Sequence, residues 1–345
     1  MATTPATISS AERDNHLRWD GRQAGFYEVY YLKVNDPVTG VGFWLRYTLT
    51  SPHDAQPRAD VWGVLFDPQL PHPVGFKTTH PVWHIGFHGE RFRFSIADNV
   101  LMHDSAVGQA DSPAGAMSGS PDRTMRWDLH WQPNVTSVRY YGYDLLYRIG
   151  WPKTKVLTPN TSIRMTGTVV VGDRTFTLTD APAQQGHIWG VQHAERWVWG
   201  HCCAFAEDPT AVFEGLTASP SGGRDFSTFF VRLDGRDFHF NKLANLLWTP
   251  SQYDVDRWSF ELEQDDYRFT GHVSAPIERF IGVTYISCDD SVRICNNTMI
   301  ADCRIDVARR NDGKTWQPYK TLTSQGTAAM ETVARKPHPK VPVQL

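Results

Sequence analysis

"HIWGVQHAERWVWGHCCAF", residues 187–205, holds three of the chain's thirteen tryptophans and three of its fourteen histidines. Its second half alternates with period two. Trp197, Trp199, His201, Cys203 and Phe205 share one face of a strand, and Val198, Gly200, Cys202 and Ala204 share the other. A face of large rings needs a roomy setting, whereas a face of Val, Gly, Cys and Ala packs closely. The interior of an eight-stranded barrel, which just admits a small molecule, is one such setting. Rings that fill the core themselves are the alternative.

The same period recurs outward in both directions. In "FYEVYYLKV", 26–34, Phe26, Glu28, Tyr30 and Leu32 share a face, as do Phe43, Leu45, Tyr47 and Leu49 in "GFWLRYTL", 42–49. The intervening "NDPVTG" has the Asp, Pro and Gly of a hairpin turn. Further strands read in "ADVWGVLFD", which contains Trp62, and in "RFRFSIAD", "MRWDLHW", "SIRMTGTVVVGDRTFTL", "AVFEGLTA", "FSTFFVRLDGRDFHF" and "WSFELEQDDYRFTGHV". Many short strands and few helices predict an all-β antiparallel sandwich or barrel. The best short helix lies in "YYGYDLLYRIG". Residues 104–124, rich in Ser, Gly, Ala, Pro and Asp, predict a long surface loop. Setting Trp19 over Trp189 aligns two similar stretches, each a Trp, a nearby Gly and then an aromatic strand, which predicts two related β-units in tandem. The units are placed at 16–185 and 186–335, after a disordered leader at 1–15 and before a Pro-rich, unpacked tail at 336–345.

Composition excludes several function classes. Of the 345 residues 21% are charged, and a formal net charge of −3 gives no draw toward nucleic acid. No run of about 18 apolar residues is present for membrane insertion, and the N-terminus lacks the basic-then-apolar order of a secretory signal, so the expected compartment is the cytoplasm. The five cysteines lack the spacing of a disulfide framework or a zinc site. His80, His84 and His88 have helical metal-ligand spacing but lie in a strand pattern, so no metal is expected. No nucleophile elbow, P-loop or dinucleotide fingerprint occurs.

Two carboxylates stand out. Glu28 and Glu214 each sit inside an otherwise apolar strand, and a carboxyl desolvated there has a raised pKa and can act as a general acid. The alternative is a structural ion pair with an arginine such as Arg22 or Arg196. His187 and His201, close to the aromatic stretch, can orient such an acid or the substrate, or be satisfied by backbone carbonyls.

"HLRWDGRQAGFYEVYYLKV" resembles the opening of tocopherol cyclase-type proteins, with His16, Trp19, Asp20, Gly21, Phe26, Tyr27, Glu28, Tyr31 and Lys33 in matching places, and Val29-Tyr30 standing where the family has Gly-Trp. A second block is also similar to that family: Trp189, Gly190, Trp197, Trp199 and Phe205 match, while Ile188 and Ala194 replace its Asn and Pro. The wider group includes hydroxyneurosporene synthase-type carotenoid hydratases, fungal Diels–Alderases and lipid-handling survival factors. The resemblance implies two tandem lipocalin-like barrels or sandwiches with an apolar pocket at or between them. It also implies an enzyme that cyclises, isomerises or hydrates a hydrophobic isoprenoid- or polyketide-like molecule, without a cofactor. On that reading Glu214, or Glu28 in the first unit, donates a proton. His187 and His201 orient, and Trp189, Trp197, Trp199, Tyr30, Trp62 and Phe205 contact the substrate. A non-catalytic carrier using the same pocket, or a scaffold with a filled core, are the other readings; the oligomeric state is left open.

Overall fold

In a half-exposed sheet one face of each strand is polar, but here both faces of the first strand are apolar, with Tyr27, Val29 and Tyr31 alternating with Phe26, Tyr30 and Leu32, and all are buried. The computed structural model, which describes residues 8–87, 90–112, 124–220, 223–311 and 313–345, explains why. The chain forms two antiparallel sheets, each curled round a core of its own, and the sheets pack back to back.

The first, a 12-stranded sheet, runs in the order Val74–Pro81, Arg58–Phe66, Val41–Ser51, Phe26–Asp36, Arg174–Gly190, Thr154–Val171, Thr124–Trp131, Ser105–Asp111, Asn99–Met102, Arg93–Ile96 and Ile85–Phe87, with Val138–Arg139 paired onto Thr154–Val171. The second, 10-stranded, runs Arg236–Phe240, Phe226–Leu233, Val212–Ser219, Arg196–Cys202, Trp316–Ala334, Val292–Arg310, Tyr267–Ser274, Arg257–Gln264 and Ser251–Tyr253, with Ile281–Ile286 paired onto Val292–Arg310. In both, the unit's first strand lies between its own hairpin partner and the unit's last strand. The architecture is that of tandem lipocalin-like units. Strands Phe26–Asp36 and Arg196–Cys202, aligned by the internal repeat, hold equivalent places. The strand carrying His187 and Trp189 closes the first sheet and runs to Gly190, beyond the 185/186 division.

The outer faces of the central strands meet. Lys33 Nζ donates to the Thr327 carbonyl at 2.6 Å and Asn35 Nδ2 to that of Met299 at 2.7 Å, tying the first strand to the second unit. A mixed apolar cluster, including Tyr31, Trp44 and Val156 of one unit with Trp199, Ile281 and Met299 of the other, fills much of the seam.

Several expectations are corrected. The face of Trp197, Trp199, His201 and Cys203 looks outward to the first unit and not into a barrel. The interior of the second barrel is plugged by Phe213, Phe229, Trp258 and Phe260 packed against Val198 and Cys202. Phe205 lies past the end of its strand and turns into that second core, because alternation lapses where the strand stops at Cys202. Of the leader, residues 1–7 lie outside the described residues. The rest forms a short helix, Ser10–Asn15, capped by the Ser9 side chain, with Glu12 held by Arg91 and the Phe92 amide. The tail is packed: Gly282 and Val343 form a parallel bridge, the Thr284 amide donates to the Leu345 carbonyl, and Gln344 bonds to Gly75 and Pro73 of the first unit.

Of the predicted loop, 105–111 is strand and 113–123 lies outside the described residues; the helix predicted at 140–150 is a single 3-10 turn, Asp144–Tyr147. Among the described residues no helix is long and apolar enough to cross a membrane.

Candidate functional site

The residues singled out in the sequence fall into three settings. In the first, Glu28 points into the first barrel and is fully buried. It accepts from the backbone amides of Arg18 and Trp19, from the Tyr30 hydroxyl at 3.1 Å, and faces His187 Nε2 at 2.8 Å. His187 Nδ1 lies 2.8 Å from the Asp14 carbonyl, and its ring stacks on Tyr30 at 4.3 Å. Trp189 packs beside His187 and under the Arg18 guanidinium. Neither Arg22 nor any other arginine side chain pairs with Glu28 among the described residues; its partners are the Arg18 and Trp19 amides, Tyr30 and His187. The arrangement ties the entering segment 14–19 to the strands that carry Glu28 and His187.

The second setting spans the two units. Glu214 is buried and accepts from Tyr140 Oη at 2.6 Å, Thr158 Oγ1 at 2.6 Å, Thr161 Oγ1 at 2.9 Å and Gln184 Nε2 at 3.2 Å, all from the first unit. Burial raises its pKa, and the hydroxyl donors of Thr158, Tyr140 and Thr161 oppose this. Register sets His201 directly across from it, with Nε2 2.7 Å from the Thr161 carbonyl, and burial pushes that imidazole well below its usual range. Arg196 pairs with Asp225 on the surface and not with Glu214. A small recess of about 170 Å³, lined also by Tyr140 and Phe230, adjoins Glu214.

The third setting is the one with room. Between the outer faces of the two sheets lies a cavity of about 780 Å³, counting its open mouth. Its wall is mainly apolar, with Tyr27, Tyr31 and Trp44 from the first unit and Trp197, Trp199 and Tyr285 from the second among its rings. Trp197 and Trp199 therefore line a hollow. Trp62 lines an adjoining chamber. Glu28, Tyr30, His187, Trp189, Glu214, His201 and Phe205 line neither. Local geometry keeps the rings in place. Tyr31 stands edge-on to Trp199 at 5.4 Å and lies across Gly186, where a Cβ would come 2.3 Å from the Tyr31 ring. His193 stacks between Tyr27 at 4.1 Å and Trp197 at 5.9 Å, and burial, with Arg46 and Arg293 adding to it, drives its pKa down to about 3, so it is neutral.

One acid reaches this wall. Glu331 sits on the last strand of the second unit, opposite Trp199 in register, and accepts from Asn297 Nδ2 at 2.9 Å. Burial lifts its pKa to about 7, against a smaller opposing pull from the Arg46 guanidinium and from Cys295. The sequence reading passed over it, although "AAMETVA", 328–334, places a lone carboxylate in an apolar strand just as Glu28 and Glu214 are placed. Arg46, the lone cation of "GFWLRYTL", was missed in the same way. Among the described residues no three His, Cys, Asp or Glu side chains converge to hold a metal; His80 and His84 have ring centroids 6.0 Å apart, and His88 lies outside the described residues.

The chain belongs to the tocopherol cyclase-like family, whose model matches residues 24–332. It is 25% identical over 326 residues to Rv0493c of Mycobacterium tuberculosis, covering 90% of each chain. Among solved structures it resembles kievitone hydratase from Nectria haematococca, with a TM-score of 0.50 at 8% identity over 96% of this chain and 93% of that one. It also resembles CghA, solved with Sch210972, with a TM-score of 0.53 at 9% identity over 96% and 93%. At these identities the likeness is one of fold, and it extends over both units.

Proposed function

We propose that the protein is an enzyme that draws a hydrophobic isoprenoid- or polyketide-like molecule into the cavity between its two units. There it cyclises, isomerises or hydrates the molecule with its own acid, Glu331. The observation that carries this reading is a single buried carboxyl, with its pKa lifted to about 7, on the wall of a cavity lined mainly by aromatic and aliphatic side chains. An acid is most effective as a proton donor when its pKa lies near the working pH. The family membership and a hydratase among the structural neighbours support the same class of chemistry.

Protonated Glu331 gives its proton to an alkene carbon or an oxygen of the substrate, and positive charge develops on the neighbouring carbon. The faces of Trp199, Tyr31 and Tyr285 stabilise that charge through their quadrupoles. The carboxylate left behind recovers a proton either from an adjacent carbon, which completes an isomerisation or ring closure, or from a water that adds to the cation. Apolar walls exclude stray water and hold a flexible chain in a reactive conformer.

Glu331→Gln keeps the shape and the bond from Asn297 but has no proton to give. Turnover of an identified substrate is expected to fall by about 10² to 10⁴, with binding retained. Unchanged turnover removes Glu331 from the chemistry, and a carrier would be indifferent to the substitution.

A further inference from the structure

The cavity does not end at its apolar wall. Beyond Tyr27, Arg46, His193 and Tyr285, which both spaces share, lies a second chamber of about 700 Å³ counting its mouth, lined by Arg58, Asp60, Lys77, Thr48 and Trp62. Arg46 therefore stands at the neck between an apolar room and a polar one.

Its guanidinium is under-used. Arg46 is only 7% exposed, yet among the described residues it makes one hydrogen bond, Nε to Thr48 Oγ1 at 2.8 Å, and no ion pair. It lies over the Tyr285 ring at 4.1 Å and near Trp44 and Trp62 at 5.7 and 5.8 Å. Aromatic faces offset part of the cost of burying a cation but accept no strong hydrogen bond. The Nη donors have no acceptor among the described residues and are not among the buried unpartnered atoms, so they reach the space they line. The nearby carboxylate of Asp60 is engaged by Thr79 Oγ1 at 2.6 Å and by Lys77 at 3.6 Å. Asp290, on the far side of the chamber, is exposed. Glu331, on the apolar side, carries a proton for part of the time near neutral pH and is not a full counter-ion.

Resting on the proposed use of this cavity, we infer that the ligand is an amphiphile whose carboxylate-type anion docks on Arg46 at the neck while its apolar body lies among Tyr31, Trp197 and Trp199. A planar fork of N–H donors matches a planar two-oxygen anion better than it matches a neutral hydroxyl or a tetrahedral phosphate.

The test is calorimetric titration of the full chain at pH 7.5 with chain-matched probes: dodecanoic acid, dodecyl phosphate, dodecanol and dodecylamine. The acid is expected to bind about tenfold or more tightly than the alcohol, a difference of about 1.4 kcal/mol. That gap should close in Arg46→Met, persist in part in Arg46→Lys, and survive Lys77→Met. Thermal melts of each variant show that it is folded. Equal binding of acid and alcohol overturns the inference and leaves the cavity reading standing, as does a phosphate that binds more tightly than the acid. Loss of the preference in Lys77→Met, or its survival in Arg46→Met, moves the anion away from Arg46 and also overturns it. Failure of every probe to bind rejects the cavity reading along with it.

Discussion

A carboxyl whose pKa rises on folding leaves a signature that needs no substrate. Glu331 moves from an ordinary value of 4.5 to about 7, chiefly through burial. Between those pH values the folded chain holds a proton that the unfolded chain has released, so stability falls as pH rises through the window. The contribution is fully present below 4.5 and lost above about 7. At about 1.4 kcal/mol per pH unit the whole window is worth about 3 kcal/mol. Other groups slope too: His193 and His201, held below their usual values, lose stability as pH falls, and Glu214 slopes as Glu331 does. Comparing Glu331→Gln with the wild type at each pH cancels them. The amide mimics the protonated acid, so the variant should be close to wild type in stability at pH 5 and more stable by about 3 kcal/mol at pH 8. Urea midpoints at the two pH values measure this. Parallel profiles for the two proteins would refute the raised pKa, and with it the reason for choosing Glu331 as the acid.

Three further outcomes are expected. Gly186→Ala places a methyl group 2.3 Å from the Tyr31 ring and drives that ring toward the cavity; calorimetry should show ligand affinity lost, with about 1–3 kcal/mol of stability, and unaltered affinity would contradict the position of Tyr31 on the wall. Glu28→Ala strips the acceptor from two backbone amides, Tyr30 and His187; a loss of about 3–5 kcal/mol in denaturant titration is expected, with binding at the cavity spared. Glu214→Gln leaves the hydroxyl donors from Tyr140, Thr158 and Thr161 imperfectly matched, costing about 1–3 kcal/mol while turnover survives; abolished turnover with the fold intact would transfer the role of acid from Glu331 to Glu214.

The strands were legible because a two-residue period is written directly into the order of side chains, and the hairpins because Asp, Pro and Gly mark the turn at 35–40. The place of the cavity was not legible. Alternation separates two faces without saying which is the inside of a barrel, and in a chain whose units pack back to back both faces are apolar. Trp197 and Trp199 line a cavity, but it lies outside their own barrel. Isolated carboxylates in apolar strands have three bearers, Glu28, Glu214 and Glu331, of which the first two were singled out in the sequence. Only tertiary structure shows that the first is spent on the chain at 18–19 and His187, the second on the seam, and that the third, held by Asn297, lies on the cavity wall.

The small residues carry the same lesson from the other side. Gly200, Gly215 and Gly271 present no side chain to the second barrel because Trp258 and Phe260 fill that volume; a Cβ on Gly215 would lie 2.7 Å from Trp258 Cη2, and one on Gly271 2.4 Å from Phe260 Cζ. A run of small residues on one face therefore marks where a distant ring enters. The volume those rings occupy is closed to a ligand, whereas the rings on the seam between the two units border a cavity that is not filled in this way.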